Sequence, residues 1–312
     1  MVSLCAYMDD SKGEGADAYL TLAGYLAPPA TWDAFPPRWQ AALDQADVPY
    51  LHIKEFGSPN GVYAKWYADN GEADKIAFFR SLIAVIEESK LSPIGETMRL
   101  GDIARFNRDF GLNLDPYSLA LYLGLIELSL MYPMAEVEIV LDRIPDAHSK
   151  IALARQYIRS DQYYKSAGKI IDRWKIAPLD KKLSFRNVLP LQAADFLAWE
   201  ARKSATRRDE WFVTEKPRLR PEEWLGSLLF WEVRKMGSIV FPRDMNERRS
   251  FIELKKNLPI EGQVWDYQAL CGVHKARGGH WGLAAGARGG AVRAGFPRKR
   301  DRRGGVAGSD GR

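Results

Sequence analysis

The chain has 312 residues, of which 46% are hydrophobic and 12% aromatic, so it can bury a substantial core and is not a disordered or fibrous sequence. Its two cysteines, Cys5 and Cys271, form no Cys-x-x-Cys pair, which argues against a cysteine zinc site or a disulfide framework and favours a cytoplasmic setting. No basic-then-apolar leader is present and no apolar run approaches the roughly 20 residues that cross a bilayer, so neither export nor a membrane span is expected.

The net charge of +5 is unevenly distributed along the chain. Residues 272–312 contain ten Lys or Arg, two Asp and twelve of the 26 glycines, which gives this tail a charge of +8. The preceding residues carry 35 basic and 38 acidic side chains, or −3, so the basic balance describes the tail and not a substrate-binding surface. We expect a disordered tail, with an Arg/Gly arm that contacts nucleic acid nonspecifically as the alternative.

The first part of the chain predicts a hairpin followed by helices. Strands at 4–10 and 18–27 are joined by a loop of Ser, Lys, Gly and Glu, so they should pair antiparallel. Helical spacing of apolar residues predicts helices at 28–47, where a proline pair can bend the helix, and at 73–89. A third strand is predicted at 91–100.

The following segments alternate between the two types of element: helix 115–132, strand 135–143, helix 146–160, strand 168–177 and helix 189–204. This alternation favours parallel crossover connections, whereas the opening hairpin is antiparallel. The sequence therefore predicts an α/β fold with a mixed sheet that is covered by helices.

The composition divides the chain into three parts. Residues 1–204 form the predicted α/β domain, with a helical insertion at about 28–90 after the second strand. A helical extension packed on the core is predicted for 205–271, with helices at 220–236 and near 245–257. The glycine-rich tail described above follows it.

Three aspartates have no local partner in the predicted elements. Asp195 lies on a very apolar helix, and the positions three and four residues away hold no cation. Asp142 and Asp9 end two strands, and strand ends are where α/β folds place functional groups. A solvent-facing stripe is the alternative for Asp195, and a turn hydrogen bond is the alternative for Asp142. We favour a functional role for Asp195, and the pattern around Asp142 leaves both interpretations open.

Three converging carboxylates need a compensating charge. Two unit charges about 4 Å apart repel by roughly 4 kcal/mol at an effective dielectric constant near 20. Either some of the acids are protonated or divalent cations neutralise them, and carboxylates without cysteine suit Mg²⁺ or Mn²⁺. Two ions about 4 Å apart would activate water and stabilise the leaving oxygen in phosphodiester cleavage.

Three motifs carry a resemblance to a known family: "YMDDS" at 7–11, "LHIKEF" at 51–56 and "LQAADFLAW" at 191–199. The chain resembles the bacterial and archaeal family called domain of unknown function 3800, which looks like a branch of the ribonuclease H-like superfamily. The resemblance implies a ribonuclease H-like fold up to about residue 204, with an insertion between its second and third strands. It also implies that Asp9, Asp142 and Asp195 are metal ligands.

Two positions depart from the family pattern. Asp10 stands where the family usually has Glu, and Lys12 stands where glycine usually follows the serine. The shorter reach of Asp10 leaves its role beside the ligands open. Gln192 shares a helix face with Asp195 and is expected to orient it.

His52 and Glu55 of the second motif are further candidates. In the functional interpretation Glu55 supplies a fourth carboxylate and His52 assists proton transfer or grips a phosphate. In the alternative His52 is a satisfied, partly buried histidine and Glu55 pairs with a surface base. We favour function because the motif belongs to the resembled family's pattern. Lys181 and Lys182 are predicted to contact a phosphate, with a simply solvated lysine pair as the alternative.

These residues predict a Mg²⁺- or Mn²⁺-dependent nuclease or phosphodiesterase that uses a metal-activated water on RNA, DNA or a hybrid. One alternative is a catalytically reduced ribonuclease H-like module that binds nucleic acid or protein, which the altered "DDSK" favours. Another is a binder of small molecules.

Overall fold

In the part of the chain that the structure describes, six strands form a single mixed sheet. The computed structural model describes residues 2–15, 18–161, 165–213, 263–265 and 270. The strands are β1 Val2–Lys12, β2 Tyr19–Ala27, β3 Ser92–Arg99, β4 Ala135–Leu141, β5 Lys175–Pro178 and β6 Gln263–Trp265. Their order across the sheet is β5-β4-β1-β2-β3-β6. The β1–β2 and β2–β3 pairs are antiparallel, and the other pairs are parallel, which confirms the predicted mixed sheet.

Helices cover both faces of this sheet. They are α1 Pro29–Gln45, α2 Ile53–Phe56, α3 Ala64–Asp69, α4 Glu72–Glu88, α5 Leu100–Phe110, α6 Pro116–Met131, α7 Ala147–Ser160, α8 Lys165–Ile171 and α9 Leu189–Val213. Helices α1 to α4 lie between β2 and β3, where helices were predicted. None of the described helices has the length and apolar character needed to cross a membrane.

The two faces of the sheet bury separate cores. On one face of β1, the core contains Leu4, Ala6 and Met8 together with residues of α6. On the other face, Cys5 and Tyr7 pack against a core that contains residues of α1 and α9. This division follows from the period of two in a strand, because successive side chains point to opposite faces. Side chains at odd positions of β1 therefore face α9.

The central strand β2 is buried along its whole length, because helices cover both of its faces. Its sequence "YLTLAGYLA" accordingly lacks the polar alternation of a half-exposed strand. At Gly24 an added Cβ would lie 1.8 Å from the Tyr7 carbonyl oxygen and 2.7 Å from Met8 Cα, so only glycine fits beside β1 here. β2 and β1 thus approach each other closely one residue from Asp9.

Two predicted boundaries differ from the structure, and one helix was not predicted. Residues 168–171, predicted as the start of a strand, belong to α8, because Ala167 and Ile171 lie four residues apart and both face the core. Helix α9 continues to Val213, beyond the predicted end at 204. Helix α5 was not predicted; it is short and polar, buries Ile103 and Phe106, and ends at Gly111 in the left-handed conformation.

The helical extension predicted for 205–271 is wrong at Gln263–Trp265, which form β6. The free edge of β3 offers unpaired backbone groups, and Val264 and Trp265 have high strand propensity. The helices predicted at 220–236 and 245–257 and the tail at 272–312 lie outside the described residues.

Candidate functional site

The register of β1 and β4 brings Asp9 and Asp142 side by side. Met8 pairs with Leu141, and the amide of Asp142 donates a hydrogen bond to the Met8 carbonyl at 2.9 Å, so the pairing continues beyond the end of β4. Neighbouring strands lie about 4.8 Å apart, and residues in register share a face. Both side chains therefore point toward the face that α9 covers.

Helix α9 brings Asp195 to the same face. The side chain of Asp195 is only 5% exposed, and its Oδ2 accepts a hydrogen bond from the Ile53 amide at 2.7 Å. Helix α9 packs directly on β1 and β2. The side chain of Asp195, in the motif at 191–199, thus contacts the main chain of Ile53, in the motif at 51–56. The two motifs are far apart in the sequence but adjacent in the fold.

Burial and mutual repulsion raise the pKa values of these acids. Burial raises the pKa of Asp9 well above its usual range, and the charges of Asp195, Asp142 and Asp10 raise it further. Burial raises the pKa of Asp195 to about 6, against the opposing effects of the Ile53 hydrogen bond and of His52. Burial also raises the pKa of Asp142. The aspartates are thus close enough to disfavour one another's ionised forms.

None of these acids has a close ion-pair partner among the described residues, although a hydrogen bond from the Arg143 amide and the charge of Arg143 lower the pKa of Asp142. Neither Asp9, Asp142 nor Asp195 forms an ion pair within the part of the chain that the structure describes. Asp9 Oδ1 accepts a hydrogen bond from the Asp10 amide at 2.7 Å. No described residue donates a hydrogen bond to the second oxygen of Asp9 or of Asp195. Asp9 and Asp195 are therefore each oriented through one oxygen, and their other oxygens are the candidate ligand atoms.

Asp10 points to the opposite face of the sheet from Asp9, as its position one residue later in the strand requires. Burial and Asp142 raise the pKa of Asp10, whereas Lys150 and Lys12 lower it. Lys150 lies 3.7 Å from Asp115 Oδ2 and belongs to α7, on the α6 side of the sheet. Asp10 is thus near the other acids, and the charges of Lys150 and Lys12 partly offset the effect of its burial.

Gln192 has other partners than Asp195, which it was predicted to orient. Its Oε1 accepts hydrogen bonds from Trp39 Nε1 at 3.2 Å and from the Leu51 amide at 2.8 Å, and its Nε2 donates to the Arg186 carbonyl at 2.9 Å. Gln192 thus accepts a hydrogen bond from the Leu51 amide, and Asp195 accepts one from the Ile53 amide two residues later. Gln192 acts on Asp195 only indirectly, by fixing the backbone segment that binds it.

His52 and Glu55 lie at the edge of the acidic group. His52 Nδ1 is buried without a hydrogen bond, 3.5 Å from Glu55 Oε1, and the imidazole lowers the pKa of both Asp142 and Asp195. The carboxylate of Glu55 accepts a hydrogen bond from the Tyr50 hydroxyl. The structure thus brings both predicted residues to the aspartates, with Glu55 held by a tyrosine and not by a surface base.

Lys181 and Lys182 lie in an exposed loop before α9 and form no ion pair with the described residues. Arg143, the residue after Asp142, donates to the carbonyl oxygens of Asp180 and Leu183, which ties this loop to the end of β4. The backbone of the loop is therefore fixed near the acids, but the two lysine side chains have no contact that would direct them.

Two residues with a role here were not predicted. Arg202 Nε of α9 donates to Ser11 Oγ at 2.9 Å and so ties the first motif to the helix that carries the third. Arg186 stacks on Tyr50 beside Glu55. Arg202 lies seven residues after Asp195, which is about two helical turns, so the sequence places both side chains on one face of α9. No sequence pattern indicates that Arg186 stacks on Tyr50.

The raised pKa of Asp195 predicts a pH-dependent stability difference. Folding raises this pKa from about 3.9 to about 6, so the stability that the protonated group supports is present below about pH 4 and is lost as the pH rises through 6. The free energy of unfolding of Asp195→Asn should therefore exceed that of the wild type by an amount that grows from about pH 4 upward and reaches up to about 3 kcal/mol by pH 8. Urea unfolding of both proteins in EDTA would measure it, and a difference that does not change with pH would contradict the assignment.

The donors suit a hard divalent cation in type and charge, because they are carboxylates at least partly withdrawn from water that form no ion pair with a described cation. In the described part of the chain, however, no group of three or more His, Cys, Asp or Glu residues is arranged to hold a metal ion. The residues thus fit such an ion by their chemistry but do not form a ready ligand group.

Comparison with protein-family models and with curated proteins gave no match for this chain. The resemblance to the domain of unknown function 3800 family stays a prediction from the three motifs.

Proposed function

We propose that this protein is a Mg²⁺- or Mn²⁺-dependent nuclease or phosphodiesterase with a ribonuclease H-like core. The observation that carries the proposal is the meeting of two buried aspartates, Asp9 and Asp195, and the half-buried Asp142, which come from three distant segments. Burying like charges together costs free energy unless a ligand or proton compensates them. A site of this kind is expected to have a function, because it destabilises the fold that contains it.

The order of elements supports the ribonuclease H-like assignment. A hairpin, intervening helices, a third strand and then alternating helices and strands follow one another along the chain. This is the order that the resemblance implies, with α1 to α4 in the place of the insertion. The acids come from β1, from the residue after β4 and from α9, as the resemblance also implies.

The residues would divide the work as follows. Asp9, Asp142 and Asp195 would hold the ion, which would supply compensating charge and an activated water for attack on a phosphodiester. The Ile53 amide fixes one oxygen of Asp195, and the Asp10 amide fixes one oxygen of Asp9.

His52 and Glu55 would move protons at the edge of the site. The unpartnered Nδ1 of His52 lies near Glu55, and Tyr50 orients the Glu55 carboxylate. The expected partner is a nucleic acid.

The absence of a ready ligand group among the described residues favours a second candidate. In this alternative the protein is a catalytically reduced module that binds nucleic acid or protein, and its three aspartates hold no metal ion.

Metal-dependent stabilisation separates the two candidates. If Mn²⁺ binds the folded protein alone, it should stabilise it by about 2.7 kcal/mol at a concentration 100 times Kd. We expect Mn²⁺ to raise the melting temperature of the wild type, and Asp195→Asn to abolish the rise because it removes a ligand charge. Thermal unfolding with and without Mn²⁺ measures both.

Glu138→Gln is the matched control. Glu138 lies on β4 on the same face as Asp142, but it forms an ion pair with Lys175 away from the acidic group. This variant should keep the full Mn²⁺ response. If Mn²⁺ does not change the melting temperature of the wild type, the metal-dependent function is rejected and the binding module is favoured.

A further inference from the structure

Arg186 is held in place by three independent contacts. It lies in the 3-10 turn Phe185–Asn187 just before α9. Its amide donates to Ser184 Oγ at 3.3 Å, and its carbonyl oxygen accepts from Gln192 Nε2 at 2.9 Å. Its guanidinium carbon lies 4.5 Å from the centroid of the Tyr50 ring. Both the backbone and the end of the side chain are therefore fixed.

These contacts place Arg186 at the edge of the acidic group. The neighbouring Phe185 packs edge-on against His52 with ring centroids 5.4 Å apart, and His52 interacts electrostatically with Asp142 and Asp195. Tyr50, under the guanidinium, donates to Glu55. The arginine thus belongs to the same side of the site as the predicted proton-transfer residues.

The guanidinium of Arg186 is available to an anion. Within the described residues it makes no ion pair and donates no side-chain hydrogen bond. Stacking on an aromatic ring uses the face of the guanidinium and leaves its N–H edge open. That edge matches the spacing of phosphate oxygens and can bind two of them at once.

The lysines predicted for this role are less well placed. Lys181 and Lys182 are exposed, as Arg186 is, but only their backbone loop is fixed, by Arg143. A side chain that is already oriented loses less conformational entropy when it binds. Arg186 is therefore the better phosphate donor of this segment.

We propose that Arg186 binds a phosphate of single-stranded nucleic acid at the edge of the acidic group, with Tyr50 fixing its guanidinium. The inference rests on the proposed function for the class of ligand. A single strand is favoured over a duplex because residues 1–271 carry a net charge of −3, which opposes the denser phosphate charge of a duplex.

Binding of a fluorescein-labelled single-stranded DNA, followed by anisotropy with the full chain in EDTA, tests the proposal. Arg186→Ala should weaken binding roughly tenfold or more, because it removes a charge-assisted hydrogen bond. It should also reduce the slope of log K against log salt by about 0.7, the contribution of one phosphate contact on a single strand. Arg186→Lys should keep the slope, because it keeps the charge, but bind more weakly than the wild type.

Arg80→Ala is the control, because Arg80 is an exposed arginine of α4, which contributes no residue to the acidic group. All variants carry the same basic tail, so a difference between them reports the substituted position. Equal affinity and slope in the wild type and Arg186→Ala, an equal loss in Arg80→Ala, or no binding by the wild type would each overturn the proposal.

This assay contains no metal, so it is independent of the Mn²⁺ response. Loss of binding in Arg186→Ala together with no Mn²⁺ response would support the phosphate contact and reject the metal-dependent nuclease. A Mn²⁺ response without a loss of binding in Arg186→Ala would reject the phosphate contact alone.

Discussion

Asp142→Asn is expected to lower phosphodiester hydrolysis by at least about 100-fold, since losing even an indirect partner of a metal ligand costs about 10- to 100-fold. The amide keeps the size of the carboxylate and the main-chain hydrogen bond from Asp142 to Met8, so the sheet stays intact. What the variant loses is one of the three carboxyl groups that meet on the α9 face. The measurement is cleavage of labelled single-stranded, duplex and hybrid substrates with Mg²⁺ or Mn²⁺.

Glu138→Gln serves as the control here as well, because it makes the same chemical change four residues earlier on the same face of β4. It should cleave at the wild-type rate. Equal activity of Asp142→Asn and wild type would remove Asp142 from the chemistry. Failure of the wild type to cleave any of these substrates with metal present would favour the binding module.

Gly24→Ala is expected to destabilise the protein by more than about 4 kcal/mol, a loss that few single substitutions reach. The added Cβ would lie 1.8 Å from the Tyr7 carbonyl oxygen, and backbone atoms of β1 cannot move aside as the end of a flexible side chain can. Gly24 pairs with Met8, the residue before Asp9, so any shift of the strands would also displace the acidic group. Urea or thermal unfolding followed by circular dichroism measures the loss.

Gly124→Ala makes the same change where space exists. Its Cβ would lie 3.7 Å from Glu96 Cγ, an ordinary contact, and Gly124 is inside α6, where alanine is favoured over glycine by about 0.5–1 kcal/mol. This variant should be as stable as the wild type or more so. A melting temperature of Gly24→Ala close to that of the wild type would contradict the close approach of β1 and β2.

The sequence predicted the parts of the site that obey local rules. Asp195 stood out because a charge on so apolar a helix has no neighbour to pair with, and the structure buries it against Ile53. Asp142 stood out because it ends a strong strand. The mixed sheet followed from the alternation of elements, since pairing direction depends on the length and type of the connections.

Contacts between distant segments were beyond sequence reasoning. Gln192 was noticed as a polar residue in an apolar helix, but its partners Trp39 and Leu51 lie more than 140 residues away, so no spacing rule connects them. The stack of Arg186 on Tyr50 likewise depends on how the turn before α9 packs against residues 50–56, here called the 50s segment. The start of β5 was mispredicted because "GKII" fits either a short strand or the end of a helix, and packing decided it.

The docking of the 50s segment on α9 limits what can replace its residues. Gln192 and Asp195 bind the main-chain N–H groups of Leu51 and Ile53, and every amino acid except proline supplies that group. These two bonds would therefore tolerate any side chain that still packs at positions 51 and 53. A proline at position 53 would instead leave an oxygen of Asp195 without its hydrogen bond in a buried setting.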